Sequence, residues 1–331
     1  MNKIILDKID KKILFEIDRN PTITIESLAK KTSSTIENVS FKISKLFKTG
    51  IIKYSMPIVN LDKLGFSIFL FHIKISDINK SKIIIDVFIT NEHIAWLVKT
   101  SKKNVLLGAL FAKSANQCNE ILISITQSTN NNIKEIQTSL VYEKYVLGQR
   151  YLIIDDKITD FMFDNSRIAY DGVERDFLTV TERNILFNIR ELKSNSLNNI
   201  TEHTNYNLTQ INQLIRDLKR RDIITKFQPV FDVKKMNYKW FLISLKTVWL
   251  TKEIKNKFIQ YLHSITKIVH INCMLGTWDI NFEIHVKNKK ETEDILTVIE
   301  EKFPNLISQK DVQEILEEYK FNFLIDCVLK S

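Results

Sequence analysis

The chain carries one hydrophobic pattern twice. Ile13-Leu14-Phe15 with Ile17 recurs as Ile185-Leu186-Phe187 with Ile189. Holding that offset without a gap places Leu6 on Leu178, Leu46 on Leu218, Ile51-Ile52 on Ile223-Ile224 and Pro57 on Pro229. Similar residues fill the interval: Asp10 with Glu182, Leu28 with Ile200, Ile36 with Leu208, Val39 with Ile211 and Ile43 with Ile215. Core positions that keep register from Leu6 to Pro57 mark a duplicated folding unit, so the fold is two copies of what one unit builds. The length of 331 residues agrees, being enough for about two to four domains.

Within the first copy, Ile9, Ile13, Leu14 and Ile17 are spaced by three and four, which predicts a helix over 6–18 with one buried face. A short second helix follows at 25–31, with Thr24 as its cap. A third opens at Ser34 or Thr35, turns Ile36, Val39, Ile43 and Leu46 inward, and stops at Thr49-Gly50, where glycine permits a left-handed cap. Ile51-Ile52-Lys53-Tyr54 then alternates toward Pro57 as part of a hairpin wing. The second copy repeats the plan at 181–192, 196–203, 208–220 and 223–230.

Each wing leads into aromatic and β-branched runs separated by amphipathic stretches. In the first copy the strands fall at 66–75, 94–100, 105–113 and 136–145, with helices at 82–89 and around Cys118, Ile121, Leu122 and Ile125. In the second they fall at 240–246, 267–274, 280–286 and 313–321, with helices at 251–263 and around Ile295, Leu296, Ile299 and Phe303. The order βαββαβ is ferredoxin-like. The expected fold class is α+β, with two winged helix-turn-helix domains alternating with two ferredoxin-like domains. Boundaries are expected at 1–60, 61–154, 177–233 and 234–331, with 155–176 a connector that has room for a helical piece. The two βαββαβ domains are expected to pack together as an intramolecular pseudo-dimer, with homodimers or larger assemblies left open.

A net charge of +9 favours a polyanionic partner, although basic composition also serves solubility. No apolar run reaches the ~18–20 residues of a membrane span, and residues 1–10 are already charged, so a cytoplasmic location is expected. Cys118, Cys273 and Cys327 are widely spaced without a CxxC, which argues against a disulfide framework or structural zinc.

Several residues together carry a family resemblance. They are Leu6-Asp7, Asp10 and Ile13-Leu14, then Leu28-Ala29, Val39, Lys42-Ile43-Ser44-Lys45-Leu46, Gly50-Ile51-Ile52 and Leu64-Gly65. The chain resembles the Lrp/AsnC family of regulators, whose winged helix-turn-helix precedes a βαββαβ ligand-binding and dimerisation domain. The resemblance spans both copies and is weaker in the second, where Thr201 replaces Ala29 and Asp222 replaces Gly50. The tandem arrangement departs from the usual single-copy chain and is associated mainly with archaea. The resemblance implies an effector pocket near a Gly-x-x-Asp turn, present here as Gly276-Thr277-Trp278-Asp279, so Gly276, Thr277 and Asp279 are the expected effector residues. The first copy has Ser101 and Asn104 at the matching positions. A tight inter-strand turn accounts for Gly276 and Asp279 equally well.

A helix-turn-helix sets its third helix in the major groove. The expected DNA-facing residues of the first copy are Thr35, Asn38, Phe41, Lys42, Lys45 and Lys48. Lysines there neutralise phosphate or reach guanine, and Asn38 suits adenine. On its own a lysine-rich helix face is ordinary solvated surface. In the second copy the corresponding residues are Asn207, Gln210 and Gln213, with Leu214 and Asp217 beside them. Lys219, Arg220 and Arg221 follow at the helix end, where cations also complement the macrodipole. Trp278 reads as a packing residue. His263 and His270 lack a partner at ligand spacing, so no metal is expected. No nucleophile elbow, Walker loop or GxGxxG occurs, and neither catalytic residues nor a cofactor are expected.

The function expected is a sequence-specific regulator that binds double-stranded DNA, modulated by a small effector such as an amino acid. Two alternatives stand beside it. One is a siroheme decarboxylase-like enzyme, although the run Val269-His270-Ile271-Asn272-Cys273-Met274 lacks the histidine and tyrosine pattern such enzymes carry. The other is a winged-helix adaptor that does not bind DNA.

Overall fold

A computed structural model describes residues 5–76, 81–130, 132–153, 167–170, 172, 175–192, 197–248 and 251–330. The first copy runs α1 (Lys8–Arg19), α2 (Ile25–Thr32), α3 (Ile36–Lys48), β1 (Ile52–Val59), β2 (Ser67–Ile75), α4 (Ser81–Thr90), β3 (Ile94–Thr100), β4 (Val105–Ala112), α5 (Ala115–Ser128) and β5 (Ile133–Val146). A 3-10 turn at Arg150–Leu152 and a short strand, β6 (Arg167–Ala169), precede the second copy. That copy runs α6 (Val180–Leu192), α7 (Leu197–Glu202), α8 (Leu208–Arg220), β7 (Ile224–Phe231), β8 (Lys239–Thr247), α9 (Lys252–Ser264), β9 (Ile268–Gly276), β10 (Ile280–Val286), α10 (Lys289–Lys302) and β11 (Ile307–Phe321). A last helix, α11 (Asp326–Leu329), follows it. Much of the expected connector lies outside the described residues, and its described part supplies β6 rather than a helix.

Helix starts follow local chemistry. Asp7 and Asp10 form a reciprocal capping box at α1, and Thr24 and Thr35 cap α2 and α3, each such cap being worth about 0.5–2 kcal/mol. After α3, Gly50 takes φ +69°; after α8, Asp222 takes φ +57° at the equivalent place. Aspartate tolerates that region better than most residues, and Asp222 also accepts a 3.0 Å bond from Asn60 Nδ2.

The two βαββαβ units do more than pack face to face. Strands β2, β4 and β3 continue through β11, β8, β10 and β9 to β5, and β5 returns to β2. The last strand of each copy therefore bridges to the other, with β5 paired to β9 and β11 to β3. The result is a closed antiparallel barrel with β6 on its outside edge. Alternation divides each strand between two cores. Phe69, Phe71 and Ile73 face outward under α4 and α5 with Ile84, Phe88 and Ile125. Phe241, Ile243 and Leu245 do the same under α9 and α10 with Phe258, Leu262 and Ile299. Ile68, Trp96, Val98 and Leu107 face the barrel interior.

The wings differ from the expected hairpins. β1 pairs antiparallel with β7, the wing strand of one copy completing that of the other, with Ser55 opposite Pro229 and Pro57 opposite Phe227. Both prolines lack a donor, and a two-stranded ribbon accommodates them because each strand has a free edge. Each head is also clasped by the tail of its own copy. Tyr151 and Leu152 join Ile13, Leu14 and Val39 in the first head's core. Leu324, Val328 and Leu329 join Ile185, Ile189 and Ile211 in the second, where Arg190 Nη1 donates to Asp326 Oδ1 at 2.6 Å.

Candidate nucleic-acid interface

In the first head α3 buries Val39 and Leu46 against α1 and α2. Its opposite face leaves Lys45 and Lys48 exposed, with Phe41 67% exposed beside them. This combination suits a duplex groove: ammonium groups for phosphate and a phenyl ring for a thymine methyl. Thr35 is exposed but its hydroxyl accepts from Asn38 N, so it is committed to the cap. Asn38 is half-buried and donates to Ser34 Oγ at 2.8 Å.

Lys42 corrects the sequence reading. Expected to face outward, it turns back to α1 and donates to Asp7 Oδ2 at 2.5 Å and Asp10 Oδ1 at 2.9 Å, its side chain only 13% exposed. Burial alone would lower the ammonium's pKa, but the two carboxylates hold it above the ordinary value. The reason lies in the buried acid at the third position of α1. Asp10 is 5% exposed and requires a cation. Its repeat partner Glu182 is equally buried, and there Arg221 answers it at 2.5 Å. An acid inside an otherwise apolar helix face was the signal in the sequence, read as a similarity between copies but not as a demand for a counter-charge.

The same accounting removes most of the second head's expected contacts. Asn207 and Gln210 are exposed, but they form a capping box at α8, at 3.0 and 2.9 Å. Gln213 Nε2 bonds both oxygens of Asp217 at 3.1 Å. Arg221 is tied to Asp176 as well as Glu182, and its pKa is raised first by the Asp176 hydrogen bonds. Lys219 lies over the Phe227 ring. Arg220 is exposed, with Asp217 3.0 Å away, and so is Arg216, which the sequence reading passed over.

The Gly276–Asp279 turn serves as a latch between copies. Gly276 sits at φ +145°, and a Cβ there would lie 2.5 Å from Thr138 O and 2.8 Å from Ser139 Cα on β5, so only glycine permits this approach. Thr277 N donates to Thr138 O and Trp278 N to Ser139 Oγ. Asp279 accepts from Thr247 N, Thr247 Oγ1 and Lys246 Nζ. Trp278 is buried against His72, in agreement with a packing role. The matching turn of the first copy does similar work, since Ser101 exchanges hydrogen bonds with Glu314 of β11. Among the described residues no group of three histidine, cysteine or acidic side chains is placed to hold a metal ion.

Comparisons with known proteins agree with this architecture. Residues 6–53 match a family model described as winged helix-turn-helix DNA-binding. The HTH-type transcriptional regulator LrpA of Bacillus subtilis is 42% identical over 66 residues, which are 20% of this chain and 48% of that protein, so the match spans about half of LrpA. An uncharacterized HTH-type transcriptional regulator of Pyrococcus furiosus is 25% identical over 137 residues, 41% of this chain and 92% of that protein. Among solved structures, the siroheme decarboxylase NirDL is similar in fold along 96% of this chain and 93% of its own, with a TM-score of 0.58 at 12% identity. No described helix is long and apolar enough to cross a membrane.

Proposed function

We propose that this chain, a tandem protein of the Lrp/AsnC type, is a transcriptional regulator that reads double-stranded DNA mainly through its first head. The observation that carries this reading is the uncommitted face of α3, where Lys45 and Lys48 stand exposed around Phe41 on the helix that this motif docks in the major groove. In the second head, capping, pairing and packing occupy most of the equivalent side chains, leaving Arg216 and Arg220 to steady the phosphate backbone. The β1–β7 ribbon ties the heads together, so a small effector that shifts the ribbon would alter both at once. Binding to a pool of genomic fragments tests this. Phe41→Ala should abolish site preference, whereas Arg220→Ala should weaken all fragments evenly. Equal losses in the two variants would overturn the assignment.

A second reading, an enzyme acting on siroheme, is favoured by the whole-chain likeness to NirDL. That likeness carries the fold alone. The cavity inside the barrel, about 150 Å³, is on the scale of a single ring rather than a tetrapyrrole. Incubation with siroheme followed by an absorption scan separates the two, because bound pigment and loss of carboxylates would establish the enzyme. A winged-helix adaptor would instead retain no DNA at any salt concentration.

A further inference from the structure

The barrel interior is not symmetric. In the second copy the inward cross-strand pairs of β9 and β10 are His270 with Glu283 and Asn272 with Asn281. In the first copy the corresponding pairs of β3 and β4 are Trp96 with Ala109 and Val98 with Leu107. One wall of the cavity is thus polar and the other apolar, a difference a duplicated unit acquires only by divergence. Apolar residues of the wing ribbon, Met56, Ile58 and Val230 among them, also line this space.

Most polar groups inside have partners. Trp240 Nε1 donates to Glu283 at 3.0 Å, and Trp96 Nε1 to Glu318 at 3.3 Å, with the indole centroids 6.0 Å apart. Asn272 Nδ2 donates to Asn281 at 2.7 Å, and His285 Nδ1 lies 3.0 Å from Tyr151 Oη. Among the charged groups lining the cavity, Lys144 stands apart. It sits opposite Asn272 on β5 and lines the cavity, yet it makes no hydrogen bond or ion pair with any described residue. Its Nζ lies 5.2 Å from the Phe323 ring centroid. Burial lowers its pKa, and the Glu283 carboxylate of the same cavity opposes that shift as a counter-charge. Glu283 supplies a counter-charge without a hydrogen bond, so the ammonium's donors stay unmet inside the cavity, and a ligand oxygen would satisfy them.

We infer that the barrel interior is a binding site for a small aromatic monocarboxylate, its carboxylate on Lys144 and its ring against the indoles of Trp96 and Trp240. The volume of about 150 Å³ suits one ring. A single ammonium matches a single carboxylate, whereas Glu283 and Glu318 across the cavity disfavour a multiply charged phosphate. Nothing in this site depends on the DNA reading.

The test uses the full chain and benzoate, followed by tryptophan fluorescence and calorimetry. Saturable binding below about 10 mM is expected, the weakest affinity a ligand of this size should show. Benzamide and benzylamine, similar in shape but neutral and cationic, should bind at least about tenfold more weakly because the charge-assisted bond is lost. This comparison needs no variant. Lys144→Met should remove the preference for benzoate over benzamide. Absence of saturable benzoate binding, equal or tighter binding of benzylamine, or unchanged benzoate affinity in Lys144→Met would each overturn the inference.

Discussion

Lys42 and Lys45 lie three residues apart on α3, and the structure gives them opposite work. Lys45 is exposed, whereas Lys42 is 13% exposed and bonded to Asp7 and Asp10. A lysine on a phosphate contributes about 0.9 to the slope of log affinity against log salt, or roughly 3.5-fold in affinity between about 50 and 200 mM. Lys45→Ala should therefore flatten the slope by about 1 and leave unfolding by urea unchanged. Lys42→Ala should do the reverse. Asp7 is 57% exposed and its share of the pair is small, but Asp10, with a side chain 7% exposed, would lose its counter-charge. A loss of about 1–3 kcal/mol is expected, below the full cost for a wholly buried pair. Fluorescence anisotropy on a labelled duplex at several salt concentrations, with urea titrations alongside, measures both effects. If Lys42→Ala flattens the slope as much as Lys45→Ala while keeping its stability, the inward assignment of Lys42 is wrong.

Three other outcomes follow from the same reasoning. Asp279→Ala removes the acceptor of three hydrogen bonds, so a stability loss of about 2–3 kcal/mol is expected with DNA affinity intact; a loss below about 0.5 kcal/mol would sink its role in holding the turn to β8. Burial pushes the Glu318 carboxyl up to about 7 from 4.5, so its contribution to stability is full below about 4.5 and is lost as pH rises through 7. Glu318→Gln should flatten that part of the stability–pH curve, and an unaltered curve between pH 5 and about 8 would contradict it. Arg190→Met removes the bonds to Asp326 and Leu324, so amide exchange in α6 and α11 should quicken while α1 and α3 stay protected; equal protection of both heads in the variant would count against the clasp.

The duplicated apolar frame made the element order legible, because helix and strand periods are written in Ile, Leu, Val and Phe positions that both copies retain. Pairing between copies was not legible. Alternation in β5 and β11 is the same whether a strand ends its own sheet or bridges to another, and β1 alternates whether it pairs in a hairpin or with β7. The recognition face was half legible. Exposed Lys45 and Phe41 follow from helical phase, but the turn of Lys42 toward Asp10 depends on a charge balance between two helices. For Asn207 and Gln210, spacing three apart before an apolar run was a capping-box signal as much as a base-reading one. The polar wall of the barrel was visible as His270 and Asn272 on a strand, yet nothing local showed that Glu283, His285 and Lys144 line one cavity with them.

The central claim is that the first head reads sequence, and selection of bound duplexes from a random pool tests it most directly. The parent chain should enrich one motif at low and at near-physiological salt, and the Phe41→Ala variant should enrich none. A parent that enriches nothing, or a variant that enriches the parent's motif, would contradict it.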